Sequence, residues 1–520
     1  MFLSFLIPKP YPLSPNFMTR SSGILLHPTS LPSPFGVGDL GKDAYAFIDF
    51  CHNAKQKYWQ ILPLGPTGYG NSPYMCYSAI AGNPLLISPA KLLDDELLHP
   101  ADLENLPTFP THKVDFELAI AFKTKLFHLA YQRFHDTADR EHKANFDSFC
   151  NSQIHWLDDY ALFMAVREAH GNKSWHQWPE LDLVKREPLA LIHWQNHLKD
   201  QIAYHKFIQF KFFEQWAALK AYAHKHEIEI IGDIPIYVAH DSADVWANQE
   251  FFELDPQTGA AALMAGVPPD YFSETGQLWG NPVYNWKNLA DTQFSWWIQR
   301  FESLLKLVDV IRVDHFRGFQ AFWAVEQGET TAMDGRWIKA PGAELFATLQ
   351  HKWGHLPILA EDLGVITPDV EALRDSFNFP GMKVLQFAFG SDNGNAFLPF
   401  NYNRNFVVYT GTHDNDTSVG WFEELNRDPD RQRELARLLL YVGGVCSDGI
   451  HWDLIRIAMA SVANVAIFPL QDILGLGNAA RMNFPGKAEG NWGWRYDPAA
   501  LNQPLQSQLK SLTEICGRTH

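Results

Sequence analysis

A chain of 520 residues carries 42 Lys and Arg against 59 Asp and Glu, a formal charge of −17. With 46% hydrophobic and 19% charged residues it can bury a sizeable core, and its length allows about three domains or one large, heavily inserted one. The acidic excess argues against a nucleic-acid or anionic-membrane surface, which needs a basic patch.

The N-terminal stretch 1–17 opens on an apolar run that Pro8, Pro10, Pro12 and Pro15 break, with no Lys or Arg ahead of it. It reads as an extension or a mis-assigned start before Met18, not as a signal peptide. Short apolar runs then recur at 23–27, 58–63, 228–233, 308–314, 357–361, 382–387, 406–410 and 465–469. Near-continuous apolar strands separated by helix-length segments predict parallel strands buried on both faces. Eight of them predict a (β/α)8 barrel, the TIM-barrel fold, as one catalytic domain over 18–520.

The surplus length is uneven. About 165 residues separate the second and third runs, and a helical insertion is expected at about 85–220. Tyr204, Ile208, Phe212, Trp216 and Leu219 hold one helical stripe, with similar stripes at 116–134 and 146–169. The third-to-fourth connection, rich in Gly, Pro, Asp and Trp, predicts substrate-covering loops at about 238–300. The roughly 50 residues after the eighth run are too few for a β-sandwich domain of about 100 residues.

Cys51, Cys76, Cys150, Cys446 and Cys516 are scattered, without a C-x-x-C pair. That pattern points to a reducing, cytoplasmic setting and no thiolate zinc site. No apolar run of about 18 residues exists to span a membrane. The 22 His include no H-E-x-x-H, and no P-loop occurs, so neither a cofactor nor a metal is expected. Gly475-Leu476-Gly477-Asn478-Ala479-Ala480 superficially resembles a dinucleotide fingerprint, but Pro485 and Gly486 would break the helix it must open. Asp414-Asn415-Asp416 offers oxygens that suit calcium; sugar hydroxyls are the better match. The 18 Trp also hint at a ligand with apolar faces and hydroxyls, such as a sugar.

A barrel carries its chemistry at the C-terminal ends of its strands. Asp314 ends the fourth run, Glu361 the fifth, and Asp414 lies shortly after the seventh. Arg312, two residues before Asp314, shares its strand face and should keep a neighbouring carboxylate ionised. Glu361, near two anions, should keep its proton. One ionised and one protonated carboxyl is the arrangement that glycoside chemistry requires. Taken singly, any one of these acids could simply cap a following helix.

Three segments, Ile311-Arg312-Val313-Asp314-His315-Phe316-Arg317-Gly318, Ala360-Glu361-Asp362-Leu363-Gly364 and Gly411-Thr412-His413-Asp414-Asn415-Asp416-Thr417, resemble signatures of the 4-α-glucanotransferases. That family includes amylomaltase and disproportionating enzyme, and is a glycoside hydrolase family (77) related to the α-amylases. His27-Pro28-Thr29-Ser30-Leu31-Pro32, Gly68-Tyr69-Gly70-Asn71-Ser72-Pro73-Tyr74 and Gly266-Val267-Pro268-Pro269-Asp270-Tyr271-Phe272 match it too. So do Gly276-Gln277-Leu278-Trp279-Gly280-Asn281-Pro282, Arg481-Met482-Asn483 and Asn491-Trp492-Gly493-Trp494-Arg495.

The resemblance implies transfer of an α-1,4-glucan segment to the 4-hydroxyl of glucose or another glucan, with retention. Asp314 would be the nucleophile, Glu361 the acid and base, and Asp414 the third carboxylate, which grips hydroxyls of the distorted ring. Arg312 and His413 would bond sugar hydroxyls and Asp314, with Asp233 supporting them. Tyr69, Ser72 and Tyr74 would line the donor cleft, and Asp270, Trp279 and Asn281 would belong to loops over it. The implied partners are α-1,4-glucans and glucose, with no nucleic acid, membrane or required protein partner. An α-amylase-type hydrolase and a non-catalytic glucan-binding protein remain alternatives.

Overall fold

Strands Ser21–Leu25, Tyr58–Gln60, Glu229–Pro235, Val310–Asp314, Ile358–Ala360, Gly381–Val384, Phe406–Tyr409 and Val465–Pro469 lie side by side in cyclic chain order. Each expected run overlaps one of them, with ends shifted by up to three residues. The computed structural model describes residues 18–269, 273–487 and 489–519; the expectations for residues 1–17 and for Asp270, Tyr271 and Phe272 fall outside these. All pairings are parallel, and the first strand bonds both the second and the eighth. Ser21–Leu25, Phe406–Tyr409 and Val465–Pro469 are buried at every position, because helices cover the outer face while side chains fill the inner one. The fifth and sixth strands share no ladder among the described residues. A backbone bond from Ala360 N–H to the Pro380 carbonyl, 2.9 Å, nearly closes the barrel there.

The long second connection is helical. Its helices include Phe116–Thr137, Arg140–Ser152, Ile154–Ala169 and Lys199–Lys225. The expected continuous stripe at 146–169 is broken at Gln153, where the backbone leaves helical geometry. Tyr204, Ile208, Phe212, Trp216 and Leu219 are all buried and join the same hydrophobic cluster as Ile231 and Val313 of the barrel. Side-chain hydrogen bonds fasten the longest described helix to the rest of the fold: the Gln209 amide bonds both backbone groups of Gly82 (2.7 and 2.9 Å), and the Trp216 indole Nε1 donates to the Leu307 carbonyl. Gly82 must lack a side chain, since a Cβ there would sit 1.9 Å from the Phe212 ring.

The third connection holds more than loops. Strands Leu263–Val267 and Gln277–Pro282 join Ala321–Glu326 and Gly335–Lys339, from the fourth connection, in a four-stranded antiparallel sheet. Composition concealed it, because Gly266 and Gly276 are needed for close backbone approach rather than for turns alone. After the eighth strand come short helical turns and the helix Gln503–Ile515. Residues 478–480 form a single 3-10 turn, not the long helix a dinucleotide fingerprint opens. The fold is a (β/α)8 barrel, with helices inserted after the second strand and the small sheet built from its third and fourth connections. No described helix is long and apolar enough to cross a membrane.

Candidate active site

The third and fourth strands place Asp233 opposite Arg312 in register. Arg312 is buried, and its Nη1 lies 2.6 Å from Asp233 Oδ2 and 2.9 Å from Asp314 Oδ1. Burial opposes the Arg312 charge, but Asp233 and Asp314 outweigh it and hold the guanidinium firmly protonated. The Asp233 side chain is 0% exposed and that of Asp314 27%, so Asp233 lies beneath the cleft and Asp314 faces into it. Tyr74 O–H donates to Asp233 Oδ2 at 2.7 Å. Burial raises the Asp233 carboxyl above the usual carboxylate range, against the pull of Arg312.

At the end of the fifth strand, Glu361 Oε2 accepts the His315 backbone N–H (2.7 Å) and Oε1 accepts that of Leu363 (3.0 Å). His315 takes a left-handed φ of 49°, an uncommon conformation for a non-glycine residue; this turn directs its N–H at the carboxylate. Burial pushes the Glu361 carboxyl up to about 8; Arg312 draws it back and Asp314 adds to the rise. Neighbouring anions, expected from residue types to cause the rise, add to it, but desolvation leads.

The loop after the seventh strand carries His413 and Asp414. The Asp414 side chain is 46% exposed, and His413 Nε2 lies 3.3 Å from its Oδ1. Asn483 Nδ2 donates to the same oxygen at 2.6 Å, and Arg481 Nη2 donates to the Asp414 carbonyl. Burial lowers the His413 pKa and Asp414 opposes the drop, which favours the neutral imidazole. Its ring stacks on Tyr74 at 5.2 Å and 14°.

Tyr69 stands 74% exposed, while Ser72 turns back to accept the Tyr74 N–H. Trp279 meets the His315 ring edge-on at 4.9 Å, so the small sheet borders the cleft. Asn281 is buried and its amide donates to the Val238 carbonyl (2.8 Å); like Asp233, it lies behind the cleft surface. The oxygens that suited calcium are engaged within the protein: Asn415 Oδ1 accepts from Thr412, and Asp416 from Thr417 and Asn478. Among the described residues no group of three or more His, Cys, Asp or Glu is arranged around a metal.

An ion-paired carboxylate, a half-buried carboxyl with a raised pKa and a third, exposed carboxylate therefore meet at one mouth of the barrel. The profile of the 4-alpha-glucanotransferase family matches residues 26–501. The chain belongs to the 4-alpha-glucanotransferase family. A 4-alpha-glucanotransferase of Synechocystis sp. is 59% identical over 501 residues, spanning 96% of this chain and 98% of that one. One from Thermus thermophilus is 49% identical, spanning 96% and 99%. The structure of amylomaltase from Streptococcus agalactiae in complex with acarbose superposes with a TM-score of 0.92 at 39% identity, covering 96% of this chain and all (100%) of that one.

Some residues of this site have no local signal in the sequence. Arg481 and Asn483 belong to a family segment, yet nothing local indicates that they hold Asp414. Asp472 left no signal at all. Fully enclosed, it accepts from Thr410 Oγ1 (2.5 Å) and from Ser418 Oγ and N–H (2.8 and 2.7 Å), stapling both ends of the loop that presents His413 and Asp414.

Proposed function

We propose that the protein moves a stretch of α-1,4-glucan from a donor chain to the 4-hydroxyl of glucose or another α-1,4-glucan, by double displacement at Asp314. The Asp314 carboxylate attacks C1 of the donor as Glu361 delivers its proton to the departing 4-oxygen, leaving a glycosyl ester. Glu361, now a carboxylate, takes the proton of the acceptor 4-hydroxyl. That oxygen attacks C1 and Asp314 leaves, so two inversions give retention. Asp414 and His413 bond ring hydroxyls as positive charge develops at C1. The observation that carries this reading is the pairing of Arg312 with Asp314 beside the half-buried Glu361, whose carboxyl pKa is raised.

Transfer prevails over hydrolysis when water is kept from the ester. The small sheet with Trp279 is the part of the cleft suited to that task. Five free cysteines support a reducing, cytoplasmic setting.

The decisive experiment incubates the protein with maltotriose. Products longer than the substrate support a transferase, whereas glucose and maltose alone would indicate a hydrolase. Asp314→Asn should abolish both the longer products and covalent trapping of a glycosyl ester; retained activity would place the nucleophile elsewhere.

A further inference from the structure

The barrel is least complete beside Glu361. On its fourth-strand side Glu361 is tied by its own N–H to the Val313 carbonyl (3.0 Å) and by its carbonyl to the Phe316 N–H (3.1 Å). On the sixth-strand side the ladder is missing, and beyond the Ala360–Pro380 bond a side chain takes over. Asp362 Oδ1 accepts the Met382 N–H at 2.7 Å, in the place where a ladder carbonyl would stand. Its Oδ2 pairs with Arg374 Nη1 from the helix Pro368–Ser376. Asp362 and Arg374 are both buried. A Cβ on Gly381 would meet Asp362 Oδ2 at 2.6 Å and Arg374 Nη1 at 2.9 Å, so that position must remain glycine for the pair to fit.

We infer that Asp362 and Arg374 are positioning residues for proton transfer by Glu361: they replace the missing ladder at the seam and hold the backbone that aims its carboxyl at the glycosidic oxygen. The inference rests on Glu361 being the acid. Proton donation requires placement within a few tenths of an ångström, and one flank of Glu361 has this side-chain clamp in place of a strand. Asp362→Asn keeps an acceptor for Met382 N–H but turns an amide toward Arg374, whose guanidinium then keeps only the exposed Asp375 carboxylate on its other side (2.8 Å) and loses its buried partner at the seam. The seam then loosens, and Glu361 moves from its line of attack.

The test compares kcat/KM for maltotriose with that for α-maltotriosyl fluoride, whose leaving group departs without a proton. Glu361→Gln sets the scale, since a general acid contributes about 10²–10⁴-fold. It should lose maltotriose activity by that order while keeping fluoride activity within about threefold. Asp362→Asn should lose about 10–100-fold on maltotriose and again little on fluoride, with Arg374→Met falling the same way. Both donors are read on one preparation, so the ratio does not depend on how much protein folds. Equal losses on the two donors in Asp362→Asn and Arg374→Met, with Glu361→Gln selective, would overturn the positioning role. A Glu361→Gln that loses both equally would overturn the assignment of the acid itself.

Discussion

In the proposed mechanism the raised pKa of the half-buried Glu361 carboxyl makes the pH dependence of the first chemical step predictable. As an acid it works only while protonated, so activity is present below its pKa and lost as pH rises through it. An ordinary glutamate with a pKa near 4.5 would be about 0.3% protonated at pH 7, whereas one at about 8 is roughly 90% protonated. The net shift, led by burial, added to by Asp314 and opposed by Arg312, therefore multiplies the competent population about 300-fold at neutral pH. The assay is initial-rate disproportionation of maltotriose from pH 5 to 10, followed by glucose release, with kcat/KM reporting the free enzyme. A descending limb near pH 8 is expected, and with α-maltotriosyl fluoride as donor that limb should vanish. A maltotriose limb near pH 5, or one near 8 that survives in Glu361→Gln, would refute the argument.

Trp279→Ala, which removes the ring beside His315, should shift the ratio of transfer to hydrolysis toward water by about tenfold, the equivalent of one aromatic contact of about 1.4 kcal/mol; an unchanged product ratio excludes this residue from shielding the ester. Gly82→Ala drives a methyl into Phe212 and should destabilise the protein by about 1–3 kcal/mol or more in denaturant unfolding. Arg518 is fully buried and donates to the carbonyls of Ser21, Asn464, Met459, Ala458, Ser461 and Ala463, bracing the N-terminal face of the barrel. Arg518→Met should cost about 3 kcal/mol of stability, because some of those buried acceptors lose their donor, yet leave kcat of the folded enzyme at 25 °C unchanged.

Local patterns in the chain suffice for the eight strands, the helical character of the second connection and the three strand-end acids. Apolar runs with two-sided burial and stripes of period 3.6 are local patterns, and strand ends are where a barrel keeps its chemistry. The small antiparallel sheet was not legible, since half of its strands come from another connection and its glycines imitate turns. Nor could any local pattern show that Asp233 and Asn281 lie behind the cleft, or that Asp472 staples the Asp414 loop. Their partners stand far away in the chain, Thr410 some 62 positions from Asp472, and a buried polar group is defined by what desolvates and bonds it. The same reason separates the two accounts of Glu361. Neighbouring charges were foreseeable from residue types, but burial, the larger cause of its raised pKa, exists only once the strands have closed around it.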